Sequence, residues 1–172
     1  MLEKAMDKAL DIETFTTLYV GPEDRIRLAA TRGDGARVVL WFTQKLIRRL
    51  VPHVVSWLEA HDKAGKSTEV QSFRQQVARA QHKPQPPVKA AEADHSWLVQ
   101  HIDVASHAHM LRLIFKGGDA QTAILPLTRD AARQWLHILY VGHQRGEWPT
   151  ENWPEWIRAE NQSATPAEML PN

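Results

Sequence analysis

Apolar and polar side chains alternate along residues 25–30, where Ile26, Leu28 and Ala30 interleave with Arg25, Arg27 and Ala29. The alternation resumes after a short polar stretch, with Val38, Leu40 and Phe42 set against Arg37, Val39 and Trp41. A period of two sends successive side chains to opposite faces, so both runs read as half-buried strands. Between them Arg32-Gly33-Asp34-Gly35 supplies residues that tolerate positive φ, which makes the pair a hairpin. From Thr43 the period changes to that of a helix. Leu46, Ile47, Leu50, Val51, Val54, Val55 and Leu58 form one stripe, and Thr43 is placed to accept from the free amides of the first turn. Pro52 falls inside the stripe, and its missing amide predicts a kink there.

The design recurs. Sliding the chain by 85 positions lays Thr43 on Thr128, and residues 27–55 then match 112–140 without a gap. Arg27/Arg112, Leu28/Leu113, Gly33/Gly118, Asp34/Asp119, Leu40/Leu125, Thr43/Thr128 and Arg48/Arg133 are identical. The apolar pattern carries over too: Leu111, Leu113 and Phe115, the turn Gly117-Gly118-Asp119, then Ala123, Leu125 and Leu127. A second helical stripe follows in Ala131, Ala132, Trp135, Leu136, Leu139 and Tyr140. A further strand is predicted upstream of each hairpin, Thr14 to Val20 and Trp97 to Val104.

The expected fold class is therefore α+β: a tandem pseudo-twofold repeat of a (β)ββα unit, its antiparallel sheet carrying two long helices on one face. Residues 1–162 form a single domain, with repeats at about 11–62 and 96–147 joined by residues 63–95. Within that joint, Val70, Phe73, Val77 and Ala80 predict a short helix, and Lys83-Pro84-Gln85-Pro86-Pro87 ends it in a mobile linker. Leu2, Ala5, Met6, Ala9 and Leu10 suggest an amphipathic helix at the front, and residues 163–172 a disordered tail.

Composition narrows the chemistry. The 172 residues suit one domain with a proper core, and 43% are apolar with no run long enough for a membrane span. Residues 1–8 lack the uninterrupted apolar stretch that export needs, so a cytoplasmic protein with no membrane partner is expected. The absence of cysteine excludes disulfides, thiolate metal sites and thiol nucleophiles. A net charge of +1 gives no whole-molecule attraction for nucleic acid.

The strand face turned away from the helices presents Arg25, Arg27, Arg37, Val39 and Trp41, with Met110, Arg112, Ile114, Thr122, Ile124 and Pro126 from the second hairpin. It is too apolar to be left wholly in water, which points to a second sheet or a second chain packed on it. Its other reading is single-stranded nucleic acid, stacked on Trp41 and held at phosphates by Arg25, Arg27 and Arg37. Trp148, Trp153 and Trp156 fall within nine residues, either closing the core or offering an interface. His107 and His109, with His101 or His95 nearby, are the metal candidates, although their first-hairpin counterparts are Pro22 and Asp24. No serine sits in a nucleophile turn, and Gly117-Gly118-Asp119 lacks the Lys-Ser/Thr of a phosphate loop. The expected function is a non-enzymatic binding or assembly module, self-associating as a dimer or binding a protein partner through the open sheet face or the tryptophan segment, without a cofactor. Single-stranded nucleic-acid binding is the first alternative, and a metal-dependent or other small enzyme the second.

Overall fold

The computed structural model describes residues 10–60 and 67–158. The predicted front helix and the tail beyond 162 lie outside the described residues. Strands β1 (Ile12–Val20), β2 (Arg25–Arg32) and β3 (Arg37–Phe42) lead into helix α1 (Gln44–Ala60). Helix α2 (Thr68–Gln81) follows, then β4 (His95–Leu98), β5 (His101–Ser106), β6 (Leu111–Lys116), β7 (Thr122–Leu127) and helix α3 (Arg129–Arg145).

The expectation of a single antiparallel sheet needs correction. The described residues form two sheets, β1-β2-β3-β4 and β5-β6-β7. All pairs are antiparallel except β3 with β4, which run parallel with Val39 opposite Ser96. A parallel neighbour requires a long crossover, and α1, α2 and the segment after them supply it. The one strand predicted over Trp97 to Val104 is two. At Val99 and Gln100 the chain passes between sheets, as the Val99 amide donates to Trp41 O at 2.9 Å and the Gln100 amide to Lys116 O at 2.8 Å. A second tie joins the sheets where Asp11 bridges Ile124 in parallel.

Strand registers follow the alternation. Ile26, Leu28, Val38, Leu40 and Phe42 are buried, as are Leu111, Leu113, Phe115, Leu125 and Leu127. Each such side chain contributes about 1.5–3 kcal/mol on leaving water. Leu28 lies opposite Leu40, and Leu113 opposite Leu125. One core holds all of them, with Phe42 and Phe115 edge to face at 5.0 Å and Phe115 against Trp135 of α3 at 6.5 Å. The helices pack crosswise: α3 lies on β1, with Trp135 Nε1 donating to Thr17 Oγ1 at 3.1 Å, and α1 lies on β5. Helix α1 continues through Pro52, whose ring is exposed.

The turns differ from expectation in one detail. In the first, only Gly35 takes positive φ, at 81°. In the second, Asp119 (53°) and Ala120 (61°) do so, and no glycine does. Gly117 has a different reason to be small, because a Cβ there would come within 2.6 Å of the Trp97 ring.

Helix α2 and residues 88–94 are anchored to the body of the chain. Helix α2 leaves Phe73 and Ala80 of its predicted apolar stripe exposed and Val70 and Val77 half-buried: Phe73 is 65% exposed, while Gln71, Gln75 and Ala78 are buried. The reason is the polar surface it meets. Gln75 Nε2 donates to Arg133 O at 2.9 Å, Arg133 Nη2 to Gln71 Oε1 at 2.7 Å, and Gln134 Nε2 to Ala78 O. The stretch beyond α2 crosses the outer side of the first sheet. There the Val88 amide donates to Thr16 Oγ1 at 2.9 Å, Glu92 pairs with Arg37, and Asp94 Oδ2 accepts from the Arg37 amide at 2.9 Å.

Candidate functional site

The outer face of the first sheet combines charge with an aromatic ring. Arg27 lies opposite Trp41 across the β2–β3 ladder, and Trp41 Nε1 donates to Ser96 Oγ at 3.0 Å. Arg25 and Arg27 are half-buried, but Arg37 is engaged by Glu92. Ala29 and Val39, on the same face, are only 2% and 4% exposed beneath this cover. Two consequences follow for the binding residues predicted here. Arg25, Arg27 and Trp41 stand together, whereas the guanidinium of Arg37 already has its anion.

The outer face of the second sheet is chemically similar and differently covered. Met110, Ile114, Thr122, Ile124 and Pro126 are all half-exposed. Two ion pairs flank them: Arg112 Nη2 with Asp11 Oδ1 at 3.1 Å, and Lys116 with Asp103. The Asp103 carboxyl is held below its ordinary range by hydrogen bonds from Lys116 first and His101 second, and it stays anionic. No described element lies across Ile114 and Ile124 as the segment from Val88 to Glu92 lies across the first sheet.

The tryptophan segment closes the core. Trp148, Trp153 and Trp156 are 6%, 5% and 2% exposed, so these rings pack within the chain. Trp148 Nε1 and the Tyr19 hydroxyl both donate to Asp24 Oδ1, at 2.9 and 2.7 Å. These bonds, Tyr19 foremost, lower the Asp24 carboxyl, and Asp24 raises the Tyr19 hydroxyl in turn. Trp153 meets Tyr140 at 5.3 Å and His143 at 4.9 Å, both edge to face. Burial pushes the His143 imidazole down from its ordinary value, while its bond with Leu139 O opposes the shift. Trp156 Nε1 donates to Glu59 at 3.3 Å, and the Arg133 guanidinium lies 5.3 Å from the Trp156 ring centre.

His107 and His109 are exposed in the β5–β6 turn, and His101 is turned to Asp103 at 2.7 Å. Among the described residues no cluster of three His, Asp or Glu side chains could hold a metal. No helix among them is long and apolar enough to cross a membrane.

A surface that the apolar pattern passes over lies on α1. Lys45, Arg48 and Arg49 are exposed beside a cavity walled on its far side by Pro149, Asn152 and Trp153. Its sequence signal is a helix with no acidic residue before Glu59.

Comparison with protein-family models, with curated proteins and with solved structures finds no match.

Proposed function

We propose that the chain is a non-catalytic assembly module built from two related (β)ββα units, and that it self-associates through the outer face of its second sheet. The difference between the two outer faces carries this reading. Val39 and Ile124 stand 85 positions apart, each in a parallel bridge, to Ser96 and Asp11 respectively. Val39 is sealed to 4% beneath the segment that crosses its sheet. Ile114 and Ile124, larger than their counterparts Ala29 and Val39, remain half-exposed. Apolar area of this kind is stabilised by removal from water.

A second copy is the occupant that the charge pattern favours. Both signs flank the apolar centre as pairs already closed within the chain, Arg112 with Asp11 and Lys116 with Asp103, so the face carries no unbalanced charge to repel a twofold-related copy. A net charge of +1 opposes approach only weakly.

Light scattering coupled to size exclusion over a concentration series tests the proposal. The expected result is a dimer that the double variant Ile114→Glu, Ile124→Glu converts to monomer while the circular dichroism spectrum is retained. A wild-type chain that stays monomeric at the highest concentration overturns it, as does a dimer indifferent to both glutamates.

A further inference from the structure

Lys45, Arg48 and Arg49 stand at i, i+3 and i+4 of α1, so their side chains leave the helix on one face. All three are exposed, and none has an ion-pair partner among the described residues. Like charges at this spacing disfavour the helix that carries them, and a cation in the first turn also opposes the helix dipole. The chain as a whole is nearly neutral, so this grouping is a local concentration of charge.

The three cations converge on a cavity of about 470 Å³. Val51 and Pro52 supply apolar wall on the helix side, and Pro149, Asn152 and Trp153 close the other side. That far wall is firm, because Trp153 is 5% exposed and held between Tyr140 and His143. Asn152 is exposed at the rim and offers an amide donor. Glu147, Glu151 and Glu155, the acids nearest in sequence to that wall, are exposed and do not line the cavity.

We infer that this cavity binds a compact polyphosphate anion, the di- or triphosphate group of a small molecule, through Lys45, Arg48 and Arg49. Guanidinium forks match phosphate oxygens in geometry as well as charge, and a lysine adds a point charge that can follow a third oxygen. The size of the site favours a small ligand over a nucleic-acid strand. Positions i, i+3 and i+4 lie within roughly 5–6 Å of one another, the breadth of a short phosphate chain and not of a backbone track. Cavities of about 300–1,000 Å³ are typical of small-molecule sites. The corresponding stretch of α3 offers no continuation, since Asp130, buried Arg133 and Gln134 stand where α1 has its three cations.

Isothermal titration of the full chain with sodium tripolyphosphate, pyrophosphate, orthophosphate and a single-stranded oligothymidine tests the inference. Tripolyphosphate is expected to bind with a stoichiometry of one, to exceed pyrophosphate and orthophosphate in that order, and to weaken as salt rises. The double variant Arg48→Gln, Arg49→Gln should lower its affinity at least about tenfold, an effect worth about 1.4 kcal/mol. Arg25→Gln with Arg27→Gln should leave it unchanged. Because the substituted arginines are exposed and their removal relieves like-charge repulsion, the melting temperature should not fall. Absence of heat with tripolyphosphate, or affinity unaltered by the α1 double variant, overturns the inference. So does tighter binding of the oligothymidine that the same variant abolishes, which assigns the cations to a nucleic-acid strand.

Discussion

Helices α1 and α3 are each 17 residues long, each follows the second strand of a hairpin, and each starts after a threonine whose hydroxyl accepts an amide of the first turn. Their environments diverge. The outer side of α1 holds Lys45, Arg48, Arg49, Pro52 and His53 in solvent. The outer side of α3 is covered by α2 and by the tryptophan segment, and Arg133, the counterpart of Arg48, is 3% exposed. The same residue at the same helical position is thus a surface cation in one place and a buried hydrogen-bond donor in the other. What decides between them is the element that packs on the helix second. Helix α2 brings Gln71 and Gln75 to α3: Gln71 Oε1 accepts from the buried guanidinium and makes it tolerable, while Gln75 holds the two helices together by donating to the Arg133 backbone carbonyl.

Substituting the paired arginines breaks the comparison most forcefully. Arg133→Ala removes the donor to Gln71 Oε1 and the guanidinium beside the Trp156 ring, and should cost about 2–3 kcal/mol in urea unfolding. Arg48→Ala should stay within about 0.5 kcal/mol. Equal losses at the two positions would mean that the burial difference has no energetic weight. The caps provide a smaller and more even effect. Thr128→Ala and Thr43→Ala each remove one acceptor from a first-turn amide and should each cost about 1 kcal/mol, measured in the same way. A marked inequality there would show that one helix start is held by packing and not by its threonine.

The smallest effect is a slope. His143 on α3 has a folded-state pKa below its ordinary value near 6.5, chiefly through burial. As pH falls past that ordinary value the unfolded chain gains a proton that the folded chain does not. The stability contributed by the neutral ring is therefore complete above it and declines as pH falls toward the folded value. Unfolding midpoints collected from about pH 7.5 to pH 5 should show this decline in the wild type, and His143→Gln should flatten it. An unchanged slope in the variant would assign the decline to other groups.

Both hairpins and the two long helices were legible because their patterns are local. An alternation of Ile26, Leu28, Val38 and Leu40 against arginines leaves one choice of inner face, and all four are buried. The inside-out placement of α2 was not legible. Its apolar stripe of Val70, Phe73 and Val77 argues for the opposite orientation, and only the polar groups of α3 reverse it. The parallel β3–β4 pair and the path of the chain past Thr16 rest on contacts between residues more than fifty positions apart. Composition could not decide whether the three tryptophans faced inward, because an apolar ring suits a core and an interface alike. The cations of α1 were in plain view as residues, but their isolation depends on α2 lying along α3.

The crosswise seating of each helix on the strand that precedes the opposite hairpin has a kinetic consequence. Trp135 meets Thr17, Trp148 meets Asp24, and Trp57 Nε1 donates to His107 O, so the closing contacts span from 50 to 124 residues of chain. Neither hairpin with its own helix can bury its apolar side alone, and each must wait for the other across long loops. Such a chain should acquire its tertiary order late, slowly and all at once, with nascent polypeptide still open until α3 has left the ribosome.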